Sequence, residues 1–527
     1  MQGVHLELFP PIIFLGVAAF MSSAALTRLV RLQREQIAQL KAFGYSRGVI
    51  GAHYFQFALV FVLLATLVGG VCGMWLGTWI VTIYAQFFQF PALPFRPDWF
   101  SILWALLASA ATSFAGVLGA VRQAMTFPPA EAMRPEPPAD FKPSRLERLG
   151  VQRLLTPAFR MALRNLERKP WQAFFTTVGL ALATAIPILP GAMRDGTDYL
   201  MDFQWRFAQR QDATLTLVEA ASSATLNDMR RMPGVLETEA FRSVASRLCF
   251  GHRSRRIAIT GLPAGARLNL LLDAHGKKVA LPPGGVLVSE KLAEVLGARP
   301  GDSVRIEVQE GRRPVLETVI AGTITDFTGL SAYMELGALR RLLREDDTIS
   351  GAYLAVDRTH WTNFLARAKE MPRIASIVRT QAARESFKSN MGSMIDIMRT
   401  IYFTFGVIVS FGVVYNGARI ALSERARDLA TLRVLGFTQR EVASILIGEL
   451  ALLTLIALPP GLCIGYQFAT LLISTASTET IRMPIVVTDN AYATAALIVL
   501  VSSCFSFWVV SQRIRNLDLL GVLKAHE

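Results

Sequence analysis

Residues that could do chemistry are sparse in this chain, and their spacing is uninformative for catalysis. The six histidines (His5, His53, His252, His275, His360, His526) show no H-E-x-x-H pair and no other metal-ligand spacing. There is no G-x-x-x-x-G-K-[ST] loop to cradle a nucleotide phosphate. This absence excludes P-loop hydrolysis by the chain itself. His252, with Arg253, Arg255 and Arg256, has the charge for an anion site, but a basic run of this kind is more often a solvated loop. Glu449 lies inside an apolar run; an ionisable group there is either functional or close to the headgroups, two turns into its helix. Of the four cysteines, Cys72, Cys463 and Cys504 sit in apolar runs and only Cys249 in a polar stretch, which is no disulfide framework.

The 527 residues are 52% hydrophobic and only 18% charged, against roughly 25% in a soluble domain. Disorder and coiled coil are thereby excluded. The net charge of +14 belongs at the cytoplasmic ends of membrane spans and not on nucleic acid, because it clusters in short loops between apolar runs. Seven runs approach the roughly 20 residues that cross a bilayer: 9–27, 54–84, 99–121, 174–193, 401–420, 442–473 and 492–510. The tandem Pro459-Pro460 is expected to kink or break the sixth. The first run is preceded only by His5 and Glu7, with no basic n-region, so it reads as a span and not a secretory signal.

Basic residues crowd the loops after the first run (Arg28, Arg31, Arg34, Lys41, Arg47), the third (Arg145, Arg148, Arg153, Arg160, Arg164, Arg168, Lys169) and the fifth (Arg419, Arg425, Arg427, Arg433, Arg440). The opposite loops hold a single arginine each, Arg96 and Arg482. The asymmetry places the basic loops and the C-terminus in the cytoplasm and the N-terminus outside. Between the fourth and fifth runs, residues 194–399 are long enough for a domain, which this topology puts outside the membrane. Strand alternation marks 212–219, 244–250, 256–260, 353–356 and 374–379, and helices are expected over 223–232, 332–343 and 361–371. Residues 285–327 read as strand GVLVSE, helix KLAEVLG, a turn at Pro300-Gly301-Asp302, and a hairpin turning at Glu310-Gly311-Arg312. The fold class is therefore a membrane α-helical protein with one extracytoplasmic α+β domain.

The chain also repeats itself. Residues 35–46 (EQIAQLKAFGYS) align without gaps to 427–438 (RDLATLRVLGFT), with Ala38/Ala430, Leu40/Leu432 and Gly44/Gly436 identical. The register carries into the following span, where Gly69-x-x-x-Gly73 matches Gly461-x-x-x-Gly465, a spacing that permits close helix approach. Ala132-Met133-Arg134 likewise resembles Val522-Leu523-Lys524. Ile37, Leu40, Phe43 and Gly44, like Leu429, Leu432, Leu435 and Gly436, line one helical face. Such a stripe can lie on the membrane or dock in a partner's groove. Two copies in equivalent positions favour docking on a two-fold partner.

The runs 34–46 and 424–438, together with 162–171 (ALRNLERKPW) ahead of the fourth span, resemble the FtsX/MacB-type ABC transporter permeases; 285–327 is similar to part of their extracytoplasmic domain. The resemblance implies two FtsX-like modules: an incomplete first one at 1–134, a linker and elbow helix at 135–171, a first helix at 172–193, the extracytoplasmic domain at 194–399 and the remainder of the second module at 400–527. It implies that the first module is N-terminally shortened. It further implies a bacterial inner-membrane subunit that is not itself an enzyme, binds no cofactor, and couples to a cytoplasmic ABC ATPase dimer that holds the ATP. A periplasmic adaptor is a further implied partner, and nucleic acid is not. The coupling residues carried over are Ile37, Leu40, Lys41, Gly44 and Tyr45, and in the second copy Leu429, Leu432, Arg433, Gly436 and Phe437. The activity implied is mechanotransmission to export or extract amphiphilic or lipid-like cargo. The alternatives are a regulatory protein passing ATPase motion to an outer hydrolase or sensor, and an outer-leaflet enzyme, for which 194–399 offers no catalytic cluster.

Overall fold

A computed structural model describes residues 15–16, 29–30, 33–88, 99–126, 166–167, 170–273, 276–327, 329–424, 434–476 and 482–515. In chain order the helices before the mixed region are α1 (Arg34–Ala42), α2 (Arg47–Phe88), α3 (Trp99–Thr126), α4 (Pro170–Ala185) and α5 (Ile188–Asp202). There follow β1 (Ala213–Ser222), α6 (Thr225–Arg230), β2 (Val235–Phe250), β3 (Arg253–Leu262), β4 (Val286–Ser289), α7 (Glu290–Leu296), β5 (Ser303–Val308), β6 (Val315–Ile324), β7 (Ala332–Glu335), α8 (Leu336–Leu343), β8 (Thr348–Val356), α9 (Trp361–Lys369) and β9 (Ile374–Arg379). The chain closes with α10 (Thr380–Phe387), α11 (Ser393–Glu424), α12 (Gln439–Ala476) and α13 (Asp489–Arg515). Two compact units result: residues 1–191, 399–469 and 489–527, and residues 192–398 with 470–488.

Among the described residues, five helical runs are long and apolar enough to cross a bilayer: Arg47–Ile83, Ala173–Ala208, Thr380–Arg419, Glu441–Thr475 and Asp489–Gln512. A shorter apolar stretch, Ile102–Thr112, lies in α3, whereas the span expected at 9–27 falls outside the described residues apart from 15–16. The expected break at Pro459-Pro460 does not occur, since α12 continues helical through both prolines. Two adjacent prolines remove two backbone donors, but the hydrogen bonds on either side keep the helix running where no water offers the backbone an alternative.

Small residues set the helix packing of the first unit. A Cβ added at Gly461 would stand 2.7 Å from the Ala181 carbonyl oxygen and from Thr184 Cβ. One at Gly465 would stand 2.4 Å from Ile188 Cδ1 and 3.0 Å from Ala185 Cα, so α12 approaches α4 and α5 as only glycine allows. The equivalent Gly69 and Gly73 on α2 have no described atom within 4 Å of such a Cβ. Ser502 and Ser506, one turn apart on α13, donate to the Val407 and Phe411 carbonyls of α11 at 2.9 and 3.3 Å. Thr184 and Thr454 satisfy their hydroxyls within their own helices. Glu449 is buried in the protein and does not face lipid.

The second unit is built on a nine-stranded sheet ordered β3-β7-β4-β6-β5-β2-β8-β1-β9. The sixteen-residue β2 joins its two halves. From Val235 to Phe241 it pairs with β8, and from Arg242 onward with β3 and then β5. Each half covers its own core, one around Val244, Leu248, Val288 and Leu292, the other around Leu215, Ile349, Leu354 and Phe364. At the changeover stands Arg242, its side chain 5% exposed, donating to Glu345 at 3.0 and 2.8 Å, to Glu310 at 2.6 Å and to Ser350 at 2.9 Å. The bond from Arg242 holds the Glu345 carboxyl below its ordinary value of 4.5, against the opposing effect of burial. A buried guanidinium needs this many partners, because an unpaired charge there would unfold the joint.

The expected helix over 332–343 is in part a strand. Ala332–Glu335 forms β7, parallel to β3 and antiparallel to β4, and the helix starts only at Leu336. Ala332 and Met334 alternate inward, and filling the gap between β3 and β4 outweighs their helix propensity. The strand expected at 244–250 begins nine residues earlier, at Val235. Helix α7 matches its sequence signals: the Ser289 hydroxyl accepts from Leu292 N at its start, and Gly297 at φ 74° ends it. Phe203–Ala208 and Lys388–Gly392 are π-helical, and within the second unit the Trp205 and Phe387 rings lie 5.1 Å apart.

Gly465→Val should cost about 1–3 kcal/mol by overpacking, whereas Gly69→Val should change stability by less than about 0.5 kcal/mol. Unfolding of the purified protein in detergent checks the contrast.

Candidate coupling site

The repeated basic segment folds the same way wherever it is described. In the first copy α1 ends in a left-handed turn at Gly44 (φ 92°), with Gly44 N donating to the Lys41 carbonyl at 3.0 Å and Tyr45 N to the Leu40 carbonyl at 3.1 Å. This pair of bonds satisfies the last carbonyls of the helix and needs glycine at the turn. Ser46 then accepts from Val49 N and opens α2. In the second copy Gly436 has φ 97°, and Thr438 opens α12. Its hydroxyl accepts from Glu441 N at 3.3 Å while its own N donates to Glu441 Oε2 at 2.7 Å, a reciprocal cap. Both copies thus present left-handed glycine, aromatic residue, hydroxyl cap and long apolar helix.

The faces of α1 divide the residues carried over from the resemblance. Ile37 is turned inward, 1% exposed, against Val30, Ile50 and Tyr54, so it anchors the element and does not meet a partner. Leu40 and Tyr45 are exposed, as is Phe43 beside them at 82%. Lys41 donates from Nζ to the Met125 carbonyl at the end of α3 at 3.0 Å, tying the element down instead of reaching a partner's rim. Partial burial, then the charge of Arg47, holds its ammonium below the ordinary 10.5. In the second copy Phe437 is exposed, and so are Val434 and Leu435. Leu429, Leu432 and Arg433 lie outside the described residues. Phe43 and Leu435 belong to the apolar stripe of the sequence but not to the carried-over set, and both are exposed. Val434 carried no signal, because its own position in the repeat holds Ala42.

The model for the FtsX-like permease C-terminal domain matches residues 8–129 and again 400–519. The chain carries two FtsX-like permease domains. Residues 8 and 400 are separated as Gly44 and Gly436 are, so the domain boundaries and the internal repeat share one register. Among solved structures, the extracellular domain of the noncanonic ABC-type transporter YknZ from Gram-positive bacteria matches at 12% identity, with 29% of this chain and 87% of that one covered and a TM-score of 0.22. The periplasmic region of MacB from Actinobacillus actinomycetemcomitans matches at 12% identity, covering 35% and 96%, with a TM-score of 0.25. No curated protein matches the sequence. The two stretches that match this permease domain lie in the parts of the chain that hold helices long and apolar enough to cross a membrane.

Ile37→Ala should lower stability by about 2–5 kcal/mol, whereas Tyr45→Ala should change it by no more than about 0.5 kcal/mol. Thermal unfolding in detergent separates the anchoring residue from the exposed one.

Proposed function

We propose that this chain is the membrane subunit of an ABC transporter that passes the movement of a cytoplasmic ATPase dimer to its α+β domain outside the membrane. The observation that carries the reading is the duplicated turn: two left-handed glycines, each followed by an exposed aromatic and a capped long helix. Large apolar side chains left in water at a helix end mark a contact surface. Two such surfaces in repeat-equivalent positions suit a partner with two equivalent grooves. Basic residues in the same loops support a cytoplasmic location, with the N-terminus outside and the C-terminus inside, in the bacterial inner membrane.

The ATP is bound by the partner, since this chain has no phosphate loop. Leu40, Phe43 and Tyr45 enter one ATPase groove, and Leu432, Leu435 and Phe437 the other. Burying one such side chain contributes roughly 1.5–3 kcal/mol, so a few of them together hold the motor firmly enough to be pulled by it. The cargo is amphiphilic or lipid-like, moved by displacement of the α+β domain and not through a polar tunnel. A periplasmic adaptor would receive it.

Leu432→Asp combined with Phe437→Asp should leave insertion intact and lower the amount of co-purified ABC ATPase at least tenfold. Unchanged ATPase binding would refute the docking surface.

A further inference from the structure

The second unit contains a piece of chain remote in sequence from the rest of it, residues 470–488. Its described end makes specific bonds at two points. Arg482 Nη1 donates to Glu290 Oε2 at 2.6 Å, and Arg482 N donates to the Phe327 carbonyl at 3.0 Å. Glu290 is fixed in turn by Thr325, whose hydroxyl donates to Oε1 at 3.0 Å. Phe327 packs its ring at 4.9 Å from Phe203, in the π-helical continuation of α5. At the second point Thr488 donates from both N and Oγ1 to Asp195 Oδ2 at 2.8 Å. Beside it Gly196 lies so close to the loop that an added Cβ would stand 2.7 Å from the Pro484 carbonyl oxygen.

Strong stabilisation is not the purpose of the arginine. Both partners of the Arg482–Glu290 pair are about two-fifths exposed, and exposed pairs contribute little. What the bonds provide is direction: the loop cannot shift along α5 or away from α7 without breaking them. In the sequence the loop also comes after a long helix. It follows α12, a 38-residue helix of roughly 57 Å at 1.5 Å per residue, whose first turn is capped by the Thr438 that closes the second coupling turn. A lone arginine in a loop otherwise free of basic residues is thereby accounted for.

We propose that residues 482–488 form a two-point latch through which α12 moves the α+β domain, with Arg482 as the positioning residue. The inference rests on the coupling function proposed above and adds the route by which the motion leaves the membrane helices. The latch belongs to the second FtsX-like domain, so the two domains divide the work: both hold the motor, and the second one steers.

The test uses the full chain with its co-purified ABC ATPase in lipid nanodiscs. Spin labels at Leu236→Cys and Leu497→Cys, both exposed, report the distance change on adding ATP and vanadate. Arg482→Glu should remove at least three quarters of that change while the ATPase stays bound and hydrolyses ATP within twofold of the parent rate. Arg482→Glu with Glu290→Arg should restore it, which a merely destabilised loop would not do. Arg482→Gln, the milder change, should lie between. If Arg482→Glu keeps the full displacement while Leu432→Asp/Phe437→Asp loses it, the latch is refuted and the coupling function stands. If the parent shows no displacement, or the coupling variant keeps it, both fall.

Discussion

A backbone in hydrocarbon must satisfy its own hydrogen bonds, so this chain can move its membrane region only as intact helices. That constraint explains why α12 stays helical through Pro459 and Pro460, and glycine and serine supplement apolar packing at the helix contacts. A stiff helix is also a means of carrying displacement. The left-handed glycine and reciprocal cap at its start make the turn and the helix one piece.

The α+β unit meets a different demand, joining two sheet halves that pack separate cores. Strand β2 serves both, and Arg242 stands where it changes partners, held by Glu310, Glu345 and Ser350. Such a joint holds the two halves together only while the buried charge remains paired. The loop 482–488 reaches the half that contains α7 and the end of β6, near Glu290 and Phe327.

Much of this was legible in the sequence, for physical reasons that differ between elements. Apolar length announces spans, and the Gly44/Gly436 repeat announces the left-handed turn, because glycine adopts a φ above 90° without strain. Helix α7 was readable from Ser289 and Gly297 alone. Strand β7 was not, because its four residues are strand only by virtue of β3 and β4 beside them. Nor could the sequence divide α1 into the inward Ile37 and the outward Leu40, since the stripe contains both. Arg482 was visible only as an exception to the charge asymmetry; its partner Glu290 lies 192 positions away.

The central claim is that two repeat-equivalent turns grip one motor. Hydrogen–deuterium exchange of the chain alone and in complex with its ABC ATPase measures this directly. The account predicts that amides around Leu40–Tyr45 and Val434–Phe437 both slow markedly in the complex. Protection of only one of the two, or of neither while other loops slow, would contradict it.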